Sequence, residues 1–145
     1  MKKFYSVFHT LFFKRSSNNL LEDGDQLLAN WVAAVNRGDV DAVMQLFAAD
    51  AIFYGTSTKT LITSSGGIRQ YFEQAFAQLQ PLTMAVTDVK ISFANADVML
   101  LACSDKWSVT LDGQQQIMFG RLVLTAAIRQ GEWKIVSFHR SVMPN

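Results

Sequence analysis

The chain has 145 residues, half of them apolar, and a formal net charge of +1, which is the size of one domain able to bury its own core without help from disulfides or metals. Its one cysteine, Cys103, excludes a disulfide framework. The charge is uneven: residues 1–15 carry Lys2, Lys3, Lys14 and Arg15 and no acid, leaving nine basic groups against 12 acidic ones for the rest, and a body of that sign with no basic stripe speaks against nucleic acid as a partner.

Residues 1–15 have the basic start and apolar middle of a secretory signal, but His9 interrupts the middle and no small-x-small cleavage site follows. The apolar run is too short to span a bilayer. Read as a helix, it places Phe4, Phe8, Leu11 and Phe12 on one face, which suits a docking arm for another subunit or a peripheral contact with a membrane surface. The expected organisation is therefore a tail over 1–22 and one folded body over 23–145. The location expected is cytoplasmic, with membrane association through the tail, and export is the competing reading.

Ser16-Ser17-Asn18-Asn19 reads as a linker. Asp23 and Gln26 resemble a capping box, and the stripe Leu27, Leu28, Trp31, Val32, Val35 up to Arg37-Gly38 predicts a helix over about 24–37. Asp39 caps a shorter helix through Val40, Val43, Met44 and Phe47. Ala51 to Gly55 is strand-like, Thr58 to Thr63 suggests a second short strand, and Ser64-Ser65-Gly66-Gly67 breaks the pattern. Ile68, Tyr71, Phe72, Ala75, Phe76 and Leu79 then recur at helical spacing until Gln80-Pro81 stops them.

Beyond Thr83 the helical period vanishes. Runs at 84–94, 97–110 and 115–128 are separated by Asn95-Ala96 and Asp112-Gly113, and a last strand follows Gln130-Gly131; short turns of this kind predict an antiparallel meander. In that last strand simple alternation puts Trp133, Ile135, Ser137 and His139 on one side and Lys134, Val136, Phe138 and Arg140 on the other. The fold class expected is α+β, with helices on one face of a strongly bent antiparallel sheet.

No strong catalytic signature is present. With two histidines in all, a metal site has little support, and neither a metal nor a cofactor is expected. His139, paired with Asp50 or Asp105, is the candidate general acid/base. Trp31, Tyr54, Tyr71 and Trp107 are weighed as core or pocket residues; Tyr54 is favoured for a pocket because it ends a strand before a glycine. Arg69, Arg121 and Arg140 lie in apolar surroundings, where a guanidinium must be paired or face a wet cavity, and their convergence would make an anion site.

Three stretches carry a resemblance: Trp31 with Asn36-Arg37-Gly38-Asp39 and Leu46-Phe47-Ala48-Ala49-Asp50-Ala51; Ile68-Arg69-Gln70-Tyr71-Phe72-Glu73; and Gly131-Glu132-Trp133-Lys134-Ile135-Val136-Ser137-Phe138-His139-Arg140-Ser141. Over residues 24–144 the chain resembles the association (hub) domain of calcium/calmodulin-dependent protein kinase II and its bacterial stand-alone relatives, within the nuclear transport factor 2-like superfamily. The resemblance implies a cone-shaped domain in which a bent sheet wraps a long N-terminal helix and leaves an open pocket. It also implies a homo-oligomer, at least a dimer, with arginines lining a pocket for a small carboxylate. Arg69 and Arg140 fall on matching positions, and Arg121 resembles an arginine of the bacterial relatives. Residues 1–23 hold no kinase domain or calmodulin-binding segment, so those activities are not carried over. The function expected is an oligomerising, non-catalytic protein with an arginine-marked anion pocket. The alternative is a small isomerase, dehydratase or polyketide-cyclase-type enzyme using His139 or an aspartate.

Overall fold

The computed structural model describes residues 17–144, so the reading of residues 1–15 as an anchor, docking arm or export signal lies outside the described residues. Helix α1 spans Ser17–Arg37, α2 Val40–Gln45 and α3 Ser65–Gln78; the strands are β1 Phe47–Tyr54, β2 Leu82–Asn95, β3 Val98–Leu111, β4 Gln114–Arg129 and β5 Glu132–Val142. The sheet order is β1-β5-β4-β3-β2, with β1 parallel to β5 and every other pair antiparallel. Both the α+β class and the four-stranded meander agree with the sequence, and the final strand lies inside the sheet. Among the described residues no helix is long and apolar enough to cross a membrane.

Helix α1 starts seven residues earlier than its predicted boundary and absorbs the supposed linker. The reason is packing: Leu20 is buried and extends the apolar stripe by two turns. Asp23 is thus no cap; it accepts a 2.8 Å hydrogen bond from Trp133 Nε1, which ties the helix to β5. Gly24 lets β2 approach closely, since a Cβ there would meet Ile91 Cδ1 at 2.8 Å. The helix ends at Gly38, whose φ of 60° and bond to Val35 O form a glycine C-cap.

Three local expectations fail for identifiable reasons. Ser65–Gly67, taken as a break, form the first turn of α3, because Ser64 caps it by accepting from Gly67 N. Phe47 belongs to β1 and not to the second helix. Residues 58–63 contribute only the single bridge Phe53–Ile62, because the turn at Gly55–Thr58 is closed on itself through the Thr58 side chain.

Register shifts interrupt the β1–β5, β2–β3 and β4–β5 pairings. In β2 the register shifts between Thr87 and Lys90, around Asp88 with φ 54°; in β5 it shifts between Ile135 and Ser137, leaving Val136 as the extra residue. The bulge in β5 moves Ile135 from the side of His139 to that of Phe138 and Arg140, while Phe138 and Arg140 stay opposite His139 as alternation expects. Ile135, Phe138 and Arg140 share the buried side, whereas His139 is turned outward. Two-residue turns with positive φ at both positions, Asp112-Gly113 and Gln130-Gly131, join β3–β4 and β4–β5 and match the right-handed twist of the strands.

The helices cover the concave face. Leu27, Trp31 and Val35 of α1 and Phe72 and Phe76 of α3 pack on Met99, Leu101, Leu122, Leu124, Ile135 and Phe138. Trp31 meets Phe72 and Phe138 edge-on at 5.5 and 5.2 Å, and Phe53 stacks on Phe138 at 4.8 Å.

Candidate functional site

Beyond this cluster the helices and the sheet diverge and leave a cavity of about 260 Å³. Helix α1 supplies Trp31; α3 supplies Tyr71, Gln74, Ala75 and Gln78, which share a face by helical spacing; the loop after β1 supplies Thr56 and Ser57. Trp107, Met118, Phe138 and Arg140 line the sheet side. The walls are mostly aromatic and aliphatic, and Arg140 is the one residue with a charged side chain among them.

That guanidinium is held on three sides. Nε and Nη2 of Arg140 donate to the two carboxylate oxygens of Asp105 at 2.7 and 2.6 Å, and Nη1 donates to Thr56 Oγ1 at 2.6 Å. The face of the guanidinium lies 4.9 Å from the Trp107 ring centre. Arg140 and Asp105 are both buried, so the pair is desolvated, planar and bidentate. Gly120, opposite on β4, leaves room for it: a Cβ there would overlap Nη2 of Arg140 and Oδ1 of Asp105. Gly55 does the same for Tyr71, whose ring occupies the space a Cβ would take. Next to the pair, burial pushes the Cys103 thiol up to about 11, the negative charge of Asp105 adds to the rise, and Arg140 opposes it. Trp107 Nε1 is buried with no hydrogen-bond partner among the described residues.

Of the residues singled out from the sequence, Arg140, Trp31, Tyr71 and Trp107 meet at this cavity; Arg69, Arg121, Tyr54 and His139 do not. Arg69 is on the surface, bonded to Asp41 at 2.8 Å and near Glu73 at 3.9 Å. Arg121 is exposed, because β4 turns Leu122 and Leu124 inward in alternation with it. Tyr54 and His139 are register partners on the outer face, their rings 5.7 Å apart. The expected convergence of arginines is thus replaced by one arginine that already carries its own carboxylate. Asp50, the other candidate acid, sits at the surface 3.6 Å from Arg129.

Sequence reasoning treated Asp105 only as a partner for His139. Yet it shares the buried face of β3 with Met99, Leu101, Cys103, Trp107 and Val109, and an acid in that register demands a cation. Thr56, Ser57, Gln74 and Gln78 carried no signal by themselves. Among the described residues no group of three or more His, Cys, Asp or Glu is placed to hold a metal ion.

A family model of the SnoaL-like domain matches residues 25–145. The sequence matches no curated protein. Among solved structures, a candidate calcium/calmodulin dependent protein kinase II association domain from Xanthomonas campestris superposes with a TM-score of 0.76 at 23% identity, covering 84% of this chain and 86% of that one. A candidate dehydratase of the NTF2-like family from Streptomyces avermitilis gives 0.80 at 16%, over 90% and 100% of the two chains. The hexachlorocyclohexane dehydrochlorinase of Novosphingobium barchaimii gives 0.76 at 12%, over 88% of each. At these identities the likeness is one of fold.

Proposed function

The chain belongs to the SnoaL-like domain family, and on that footing we propose that its cavity is a non-catalytic binding site for a small ring-bearing organic molecule. The observation that carries this reading is the pairing of an aromatic-walled cavity with one buried, bidentate Arg140–Asp105 pair. An apolar cavity of about 150 Å³ is enough to hold benzene, so about 260 Å³ suits one substituted ring or two fused rings. Trp31, Tyr71 and Phe138 offer faces and edges to such a ring, while Thr56 and the free N–H groups of Arg140 mark its polar end.

The enzymatic alternative, an isomerase, dehydratase or polyketide-cyclase-type reaction, needs a general base facing the cavity. His139 faces away from it, and both oxygens of Asp105 accept hydrogen bonds from Arg140, so neither group is presented to a ligand in the cavity as a general base. The names of solved neighbours, a dehydratase and a dehydrochlorinase, lend support to the enzymatic alternative, while the placement of His139 and Asp105 favours binding without turnover.

Self-association is part of the same proposal. The outer sheet face exposes Ile52 and Tyr54 on β1, Leu100 on β3, and Ile117, Phe119 and Val123 on β4, an apolar surface of the kind that a second subunit covers.

Binding is tested by thermal denaturation with a panel of one- and two-ring compounds. A ligand at a hundred times its dissociation constant adds about 2.7 kcal/mol, which raises Tm by about 5–10 °C for a domain of this size. Ala75→Phe, which fills the cavity, should remove that rise while leaving the unliganded fold intact. Failure of every compound to shift the wild-type curve would refute the binding reading.

A further inference from the structure

Taking the cavity as a binding site, we infer that its ligand carries no net charge: the site selects a neutral molecule with a hydrogen-bond acceptor, such as an amide, ketone or phenol on a ring, over the corresponding carboxylate. The argument is one of charge. Arg140 is the charged residue at the cavity wall, and its charge is cancelled within hydrogen-bond distance by Asp105, itself buried. An incoming carboxylate would meet attraction from the guanidinium and repulsion from Asp105 at nearly the same range. It would also shed its water among aromatic walls without gaining a net counter-charge. Arg69 and Arg121, which could have supplied a second positive charge, are on the surface.

A neutral acceptor escapes that penalty. Three of the donor groups on Arg140 are committed to Asp105 and Thr56, and the remaining N–H groups of the guanidinium can still donate. The hydroxyls of Thr56 and Ser57 and the amides of Gln74 and Gln78 can bond to either a donor or an acceptor on the ligand. The site therefore offers directional hydrogen bonds without a net field, which rewards polarity and penalises charge. Gly120 maintains this state, because any side chain there would push the guanidinium off its carboxylate.

The test compares matched pairs by calorimetry on the wild-type full chain at neutral pH: benzamide against benzoate, and 2-naphthamide against 2-naphthoate. The amide of each pair should bind at least tenfold tighter than the anion. Affinity for the naphthoate should rise as pH falls and the ligand itself is protonated, while affinity for the naphthamide stays level. Asp105→Asn removes the cancelling charge while keeping the shape, and should reverse the preference towards the carboxylates. If none of the four probes binds, the binding-site reading fails and this inference with it. If the carboxylates bind as tightly as the amides or tighter, with no gain at low pH, the site is an anion site and the inference alone is overturned.

Discussion

Arg140 and Asp105 lose their water in the folded chain and replace it chiefly with hydrogen bonds to each other, so their value depends on staying together. Removing one partner, as in Arg140→Met or Asp105→Leu, should destabilise the fold by about 3–5 kcal/mol, because a charge is left buried and unpaired. The double replacement should cost clearly less than the sum of the two single ones, read from urea denaturation as a double-mutant cycle; strict additivity would mean that the pair is not coupled. Cys103 reports the same environment through pH. Its thiol titrates near 9.0 when unperturbed and at about 11 in the fold, so below pH 9 both states keep the proton and stability has no slope from this group. Between 9 and 11 the unfolded chain ionises first, and about 2–3 kcal/mol is lost as pH rises. Against Cys103→Ala, which lacks the thiol, the wild type should show this extra alkaline loss; parallel curves would contradict the shift. At this scale the sequence was half legible. Arg140 stood out as a guanidinium among apolar residues, but Arg69 looked equally suitable, and only the position of Asp41 and Glu73 beside it reveals a surface ion pair.

Between elements, helix α1 is tied to the edge strand β2 through one amide side chain. Asn36 donates from Nδ2 to Met84 O at 3.0 Å and accepts from Met84 N at 2.6 Å, so its amide side chain bonds to Met84 as a neighbouring strand's backbone would. Asn36→Ala leaves both Met84 groups without that partner and should cost about 1–3 kcal/mol in chemical denaturation; a change near zero would show that water replaces the amide. The four meander strands and the turns at Asp112-Gly113 and Gln130-Gly131 were legible because they follow from alternation and from glycine-containing pairs, which are local signals. Facing in β5 was legible only in part. Alternation was counted straight through Val136, and the bulge there brings Ile135 to the side of Phe138 and Arg140.

For the whole molecule the open question is what covers the outer face. Across the sheet, Tyr54, His139 and Val123 form one row and Ile52, Ser137, Thr125 and Leu100 the next, and several of these apolar side chains are about half exposed. The chain should form at least a dimer at micromolar concentration by light scattering, and Val123→Glu, which places a charge in the first row, should give a folded monomer. A wild-type monomer would remove the self-association proposal and leave the cavity proposal standing, since the two lie on opposite faces.

By itself the sequence determined the three helices, the four-stranded meander and the α+β class, because helical period, strand alternation, glycine turns and caps act within a few residues. It also marked Arg69, Arg121 and Arg140 as guanidinium groups that must be paired or face a wet cavity. The tertiary structure decided which of them is buried. Only the folded chain brings Arg140 to Asp105 across 35 positions, opens the gap at Gly120 that admits them, and curves the sheet at Asp88 and Val136 so that a cavity remains above the pair. Those outcomes depend on register and packing between distant segments, where a one-residue bulge exchanges inside for outside, and no local pattern carries that information.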